Sequence, residues 1–420
     1  MFVLMSLYCP NSLLHQSDVI SKGVKKSMTK ENHYDVAIIG VGAVGSAALY
    51  QLSQKKLKIL AIDSFEPPHN LGSSGGESRI VRQAIGEGEH YVPLALRSYE
   101  VWCEIEQKIG HQFLHRVGGL ILSSTRDGSY VQTNDFFSTT VQCAQKYHIQ
   151  HEILDHKDIK RRFPEFNIQE DIIGYYENNA GFVVPEKCIL AQINLAKKEG
   201  VDLRFKETVT QILNEAPESI CIKTNKSTYS ASKVIISTGS WVNSFLSKEI
   251  SDFFKVYRQV LYWFEMKDKS CFSPDRFPVF IWKFSPELGS IYGFPAIDGA
   301  NGGVKMATHN LHTPTSPDLI DRTVTLQEKE DFYKRFVAPY FPTLGPGCLK
   351  ASVCSYTVTP DEDFVIDFAP ESRDILLVSA CSGHGFKHSA AVGEMAANCI
   401  LENKTLNNME AFSLKRFSVP

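Results

Sequence analysis

Apolar and polar positions alternate along the chain in two rhythms, short dense apolar runs and longer amphipathic stretches. Asp35 to Ile39 reads Asp-Val-Ala-Ile-Ile, a β-branched run of the kind a strand buried on both faces needs. Residues 43–54 follow with helical character, and Lys58 to Ile62 reads as a second short strand. Pro93 to Ile109 is predicted to be a helix. Within it Tyr99, Trp102, Ile105 (or Glu106) and Ile109 recur at three- and four-residue spacing. Gly118 to Ser123 reads as strand, 186–199 as helix, and 202–236 as several short strands with turns between them. Lys233 onward is a strand that ends in Thr238-Gly239. Residues 256–307 form a strand-rich block with many aromatics, and a helix is expected at 326–338. Strands are expected at 352–358, 364–367 and Ile375 to Ser379. A last helix reaches about residue 402 after the glycine-rich Ser382-Gly-His-Gly-Phe-Lys387. No internal repeat or low-complexity tract interrupts this order.

The junction after the first strand carries the first chemical signal. Gly40, Gly42 and Gly45 stand in G-x-G-x-x-G spacing between a strand and a helix, and Asp63 closes the second strand 23 residues after Gly40. The first glycine permits a tight turn, the second lets backbone approach a pyrophosphate, and the third lets helix pack on strand. The helix N-terminus faces the phosphates, and a carboxylate at Asp63 can accept hydrogen bonds from a ribose. The motif predicts dinucleotide binding and does not choose between NAD and FAD.

Composition removes several classes of function. The chain has 420 residues, 43% hydrophobic and 22% charged, with a formal net charge of −3. This is long enough for two domains. Neither a nucleic-acid partner nor a charged tail is indicated. No stretch of roughly 18 or more apolar residues suggests a membrane span. Ten cysteines are scattered without a C-x-x-C pair, so no metal site and no disulfide framework is expected. A reducing compartment, the cytoplasm, is the expected location. Residues 1–33 stand apart: Met1 to Cys9 is apolar but lacks a basic start, and Met28 lies just before the first strand. These residues are expected to be a poorly ordered extension.

The later motifs are more specific. They are Pro67-Pro68-His69, Gly72-Ser73, Ser78-Arg-Ile-Val-Arg82, Gly86-Glu-Gly88 and Tyr91-Val-Pro-Leu-Ala-Leu-Arg97. Then come Tyr292-Gly-Phe-Pro295, Val304-Lys305 with His309, Cys354-Ser-Tyr-Thr357, Asp361-Glu-Asp-Phe364 and Ser382 to Lys387. In these residues, from 34 to about 416, the chain resembles the monomeric sarcosine oxidase and N-methyl-L-tryptophan oxidase family of FAD enzymes. The resemblance implies an α/β fold with a Rossmann-like FAD-binding domain interleaved with a substrate domain on a large mixed sheet. The expected FAD domain comprises 34–114, 178–249 and 358–410, and the substrate domain 115–177 and 250–357. It implies oxidation of N-methyl or other secondary L-amino acids, with dioxygen as acceptor and hydrogen peroxide as product, by a monomer. Rival readings are an oxidase or dehydrogenase of a cyclic imino acid such as pipecolate, and an inactive flavin-carrying interaction protein.

The resemblance also implies roles. Cys354 would carry FAD through a thioether, a step that needs a nucleophilic thiolate. Arg82 and Lys387 would hold the substrate carboxylate, a guanidinium fork with a nearby ammonium. Lys305 would promote the reaction with dioxygen through its charge. Arg79, Tyr292, His309 and Tyr356 would complete the reaction chamber. FAD binding would use Gly40, Gly42, Ala43, Val44, Gly45, Asp63, Ser64, Ser73, Arg79, Val209, Gly239, Trp241, Gly383, His384, Gly385 and Lys387. Without the resemblance, Lys305 would read as an edge-strand lysine. Trp263 and Phe264 would read as core, or as a pocket for an aromatic substrate. The chain departs from the family at Ser74-Gly75, where relatives typically carry two histidines, and this puts efficient flavin attachment in question.

Overall fold

The computed structural model describes residues 33–125, 135–216, 218–285, 287–309, 311–403 and 410–417. The expected extension, 1–33, lies outside them except for His33, which opens the first strand.

Two large sheets carry the molecule. The first has a parallel centre in the order Asp202–Phe205, Ile59–Asp63, His33–Ile39, Thr228–Ile236 and Ser372–Ser379. Val209–Ala216, Ser219–Thr224 and Val365–Ala369 join it antiparallel. Its centre is apolar on both faces, as Val36, Ile38, Leu60, Ile62, Val234 and Ile235 are all buried. Ala43–Ser53, Pro185–Lys198 and Ser389–Glu402 pack on one face with Val92–Ile109 behind them. Val92–Ile109 buries Tyr99, Trp102 and Ile105 of the stripe its spacing predicts, with Ile109 only partly buried and Leu94 buried nearer its start.

The second sheet is mixed. Its order is Pro314–Thr315, Lys255–Met266, Val304–Thr308, Ser290–Gly293, Val279–Lys283, Gly119–Ser124, Ile172–Glu177 and Glu152–Leu154. Leu344–Val358 pairs along the whole of Lys255–Met266. Phe166, Phe277, Phe280, Trp282 and Phe341 close its outer face in edge and stacked contacts. Each such burial contributes about 1.5–3 kcal/mol. The α/β expectation therefore holds, with a Rossmann-like sheet beside a large mixed one.

Several local readings need correction. The helix expected at 326–338 is α-helical only over Leu326–Phe332 and continues as a π turn, Tyr333–Val337. The strand expected at 352–358 begins at Leu344 because it follows the long Lys255–Met266. Arg79 to Val81, read as the end of a loop, pairs with Gly181–Val183 as a strand. Lys305 is not on an edge: its strand is flanked by Lys255–Met266 and Ser290–Gly293. No described helix is long and apolar enough to cross a membrane.

Candidate active site

A cavity of about 680 Å³ runs along the end of the first sheet and over the face of the second. Its first half is backbone. Gly40 turns with φ +86°, and a Cβ there would lie 2.7 Å from the Ser237 carbonyl oxygen. A Cβ on Gly45 would lie 1.9 Å from the Gly40 carbonyl oxygen, so only glycine lets this helix start so close to the strand. At Gly42 the nearest atom to such a Cβ is Ser74 Oγ at 3.6 Å, so the helix start faces open cavity. Asp63 accepts from Val41 N–H at 2.7 Å and Phe65 N–H at 2.9 Å, which aims its carboxyl group into the same space. Burial raises its pKa. Ala43, Val44, Ser64, Ser73, Val209, Gly239 and Trp241 line this half. Thr238 Oγ1 lines it as well, buried and without a partner among the described residues. The donor-rich helix start, the carboxylate and the orphaned hydroxyl fit a dinucleotide such as FAD.

The other half is charged side chains from distant parts of the chain. Arg82 donates to Glu87 and to the Ala84 carbonyl. Lys387, in the turn Phe386–His388 just before the last helix, donates to Glu87 Oε1 at 3.1 Å and to the His384 carbonyl at 2.8 Å. One carboxylate is thus shared by two buried cations. Burial opposes the Glu87 charge, but Arg82 and Lys387 outweigh it and hold the carboxyl well below the usual range. Burial in turn lowers Lys387 to about 8, with Glu87 working against that shift.

Tyr292 and Tyr356 meet at 3.1 Å between hydroxyl oxygens, and His309 packs on Tyr356 with ring centres 5.5 Å apart. Burial, with Lys283 nearby, pushes His309 down to about 4, so its ring is neutral near pH 7. Burial raises Tyr292 to about 12. Arg79 binds the Ser78, Ser73 and Gly75 carbonyls at 2.8, 2.7 and 2.5 Å and so closes its own loop. Gly383, His384 and Gly385 line this half, and burial holds His384 at about 4.

Cys354 and Lys305 stand behind the cavity wall. The Cys354 side chain packs among Leu261, Trp263, Ala307 and Tyr356. Burial pushes its thiol up, while Arg79 and Lys305 act in the opposite sense. Lys305 Nζ donates to the Gly76 carbonyl at 2.6 Å, the Ser78 carbonyl at 2.8 Å and Ser78 Oγ at 3.0 Å. These three bonds use all the donors an ammonium has. Burial nevertheless drives its pKa well down. Trp263 sits against Lys305, with Nζ 5.5 Å from the ring centre, and Phe264 belongs to the aromatic core; neither lines the cavity. At Gly75 a Cβ would lie 2.4 Å from Asn70 Oδ1, so this loop leaves little room for a side chain at that position.

Sequence reasoning did not single out Glu87, Phe136, Lys283 or Glu362. Glu87 and Glu362 sit inside motifs already quoted, and a lone carboxylate between two glycines is a usable signal. Lys283 had none, because only strand register turns it toward the cavity.

Comparisons with known proteins agree with the geometry. Residues 35–399 match the family model described as DAO, FAD dependent oxidoreductase. The monomeric sarcosine oxidase of Streptomyces avermitilis is 37% identical over 391 residues, covering 92% of this chain and 98% of the relative. That of Bacillus sp. (strain B-0618) is 35% identical over 387 residues, covering 91% and 96%. The N-methyl-L-tryptophan oxidase of Yersinia pestis (strain Pestoides F) is 33% identical over 392 residues, covering 91% and 99%. Among solved structures, the open form of a Tyr258Phe mutant of NikD, an unusual amino acid oxidase essential for nikkomycin biosynthesis, superposes with TM-score 0.78 at 21% identity. It covers 91% of this chain and 97% of its own. Glycine oxidase from Geobacillus kaustophilus gives TM-score 0.72 at 18% identity, covering 92% and 99%. A dinucleotide cradle that opens onto a buried cation pair, in a chain matched over nearly its whole length, has one family assignment: the protein belongs to the FAD-dependent oxidoreductases of the DAO family.

Proposed function

We propose that the protein is an oxidase of N-methyl or other secondary L-amino acids, of the sarcosine oxidase and N-methyl-L-tryptophan oxidase type. The observation that carries this reading is the convergence of Arg82 and Lys387 on one carboxylate at the inner end of the cavity. A site that already binds the Glu87 carboxylate can bind that of an amino acid, and the exchange fixes the substrate's nitrogen-bearing carbon in one place. Bound FAD supplies the two-electron acceptor: the C–N bond is oxidised to an imine, water splits the imine, and dioxygen takes two electrons and two protons to give hydrogen peroxide. With an N-methyl substrate the organic products are formaldehyde and the free amino acid.

The chain's own groups would position and polarise. Arg82 and Lys387 hold the carboxylate. Tyr292, Tyr356 and a neutral His309 wall the substrate. Arg79 shapes the loop over the reaction centre, and Lys305, behind that loop and with burial working against its charge, would in its ammonium form supply positive charge where oxygen is reduced. Cys354, beside Arg79 and Lys305, is the proposed covalent anchor of FAD. These cations favour the thiolate that a tether needs, against the burial that opposes it. Segments 34–114, 178–249 and 358–410 would form the FAD-binding unit. A monomer in the cytoplasm, with no nucleic-acid partner, completes the proposal.

Peroxide release and anaerobic flavin bleaching with sarcosine, N-methyl-L-tryptophan and L-pipecolate test this. Bleaching and peroxide with an N-methyl substrate are expected. Bleaching without peroxide would identify a dehydrogenase, and no bleaching by any secondary amino acid would overturn the activity.

A further inference from the structure

The proposed chemistry leaves one cation of the cavity without a task. Lys283 ends the strand Val279–Lys283, and register sets Ile281 opposite Tyr292 and Lys283 opposite Ser290. Positions two apart on a strand share a face. All four residues accordingly line the substrate half of the cavity. Lys283 Nζ lies 4.4 Å from the centre of the Phe136 ring, and the Arg82 guanidinium carbon lies 5.0 Å from the same centre. Two cations therefore lie close to one aromatic ring.

Their partners differ. Arg82 shares Glu87 with Lys387. Two carboxylates are near enough to act on Lys283, Glu87 and Glu362, and neither is bonded to it. Glu87 is bonded to Arg82 and Lys387, and Glu362, half-exposed, feels the Lys283 charge only at longer range. Among the described residues no carboxylate forms an ion pair with Lys283, and burial lowers its pKa. An ammonium set in a cavity wall is costly without a counter-charge, and a ring face compensates only in part. A ligand that brings an anion to this point would be favoured over a neutral one of the same shape.

We propose that Lys283 receives a second carboxylate, so that the preferred substrates are secondary L-amino acids with an acidic side chain. The inference rests on the reading of Arg82 and Lys387 as the site of the α-carboxylate. Both cations lie close to a single ring, a spacing suited to a molecule whose two carboxyl carbons are three or four bonds apart, each bond about 1.5 Å. N-methylated aspartate and glutamate have this form. A larger aromatic substrate would offer the ammonium only a second ring face, a weaker partner than a carboxylate.

The test uses acid and amide pairs of nearly equal shape on the holoenzyme. N-methyl-L-glutamate is compared with N-methyl-L-glutamine by anaerobic flavin bleaching. Glutarate is compared with its monoamide by perturbation of the flavin spectrum, which reads binding without turnover. The acid should be preferred by at least about tenfold in both readouts, as for a charge-assisted contact. Lys283→Met should bring the ratio near one, Lys283→Arg should keep it, and Lys283→Glu should reverse it. Equal acid and amide in the wild-type protein, or a preference that survives Lys283→Met, overturns the inference. The two proposals separate cleanly. Turnover of N-methyl amino acids without acid preference leaves the activity standing and removes this site. A Lys283-dependent preference for glutarate with no amino acid bleaching the flavin does the reverse. The wild-type ratios decide even if a variant fails to fold.

Discussion

The two ends of the cavity are made of different material. At the dinucleotide end, backbone does the work: Gly40, Gly42, Gly45 and the N–H groups of one helix start. At the substrate end, side chains do it: Arg82, Glu87, Lys283, His309 and Lys387, from separate parts of the chain. Gly40 and Gly45 have no room for a Cβ, the space beside Gly42 is the cavity itself, and backbone carries no net charge. Side-chain sites tolerate changes of shape but depend on a balance of charges. A substitution at the first end should therefore cost the fold or the cofactor, and one at the second end should cost affinity or rate.

The sharpest test of this contrast is Gly45→Val. A Cβ at Gly45 meets the Gly40 carbonyl at 1.9 Å, and neither backbone can retreat from the other. The expected cost is about 3 kcal/mol or more. Flavin content and thermal unfolding should both drop; retention of full flavin would show that the helix start is not the cradle.

Cys354→Ser stands between the two classes, because it touches attachment and not fold. With wild-type protein, acid precipitation should leave yellow colour in the pellet. With the variant, colour should pass into the supernatant. Free FAD from the wild-type protein would remove the tether and direct attention to Gly75.

At the charged end the largest effect should come from Lys305→Met. Loss of a preorganised charge of this kind slows the step it serves by about 100- to 1,000-fold. Reoxidation of reduced flavin by dioxygen should slow by that order, and anaerobic reduction should change much less. Equal slowing of both steps in stopped-flow would make Lys305 a loop anchor, a role its three bonds to Gly76 and Ser78 already suit.

Arg82→Ala leaves the substrate anion with Lys387 and frees Glu87 from its guanidinium partner. Productive binding should weaken by about 2–3 kcal/mol with FAD still bound. Saturation kinetics like those of the wild-type protein would take Arg82 out of the carboxylate site.

The smallest effect is a pH dependence. Burial lowers Lys387 to about 8. Its ammonium is present below that pH and is lost as pH rises through it. Substrate affinity should therefore fall several-fold above about pH 8, and Lys387→Arg, which keeps its charge, should flatten that limb. Affinity that holds constant to pH 10 would mean that Arg82 alone binds the carboxylate.

Legibility in the sequence follows the same division. The dinucleotide end was readable because its strand, turn, helix and acid are consecutive and obey local rules of packing and backbone geometry. Val92–Ile109 was readable because one helical stripe alone meets the core. The helices Phe136–Lys146 and His156–Arg162 were not read. The first holds Ser138-Thr139-Thr140-Val141, which weakens helical propensity, and its best clue is Asp135 accepting from Ser138 N–H at 2.7 Å. The second buries only Ile159, so it has no apolar period to detect.

The sequence by itself determined the α/β class, the dinucleotide-binding turn and the residue types available for anion binding, because each depends on neighbours in the chain. The tertiary structure alone decided that Glu87 sits between Arg82 and Lys387, that Lys305 spends its donors on Gly76 and Ser78, and that Lys283 faces the cavity without an ion-paired carboxylate among the described residues. Those outcomes turn on strand register and on the meeting of segments 227 to 300 residues apart, where a shift of one residue in a strand would send a charge to the opposite face.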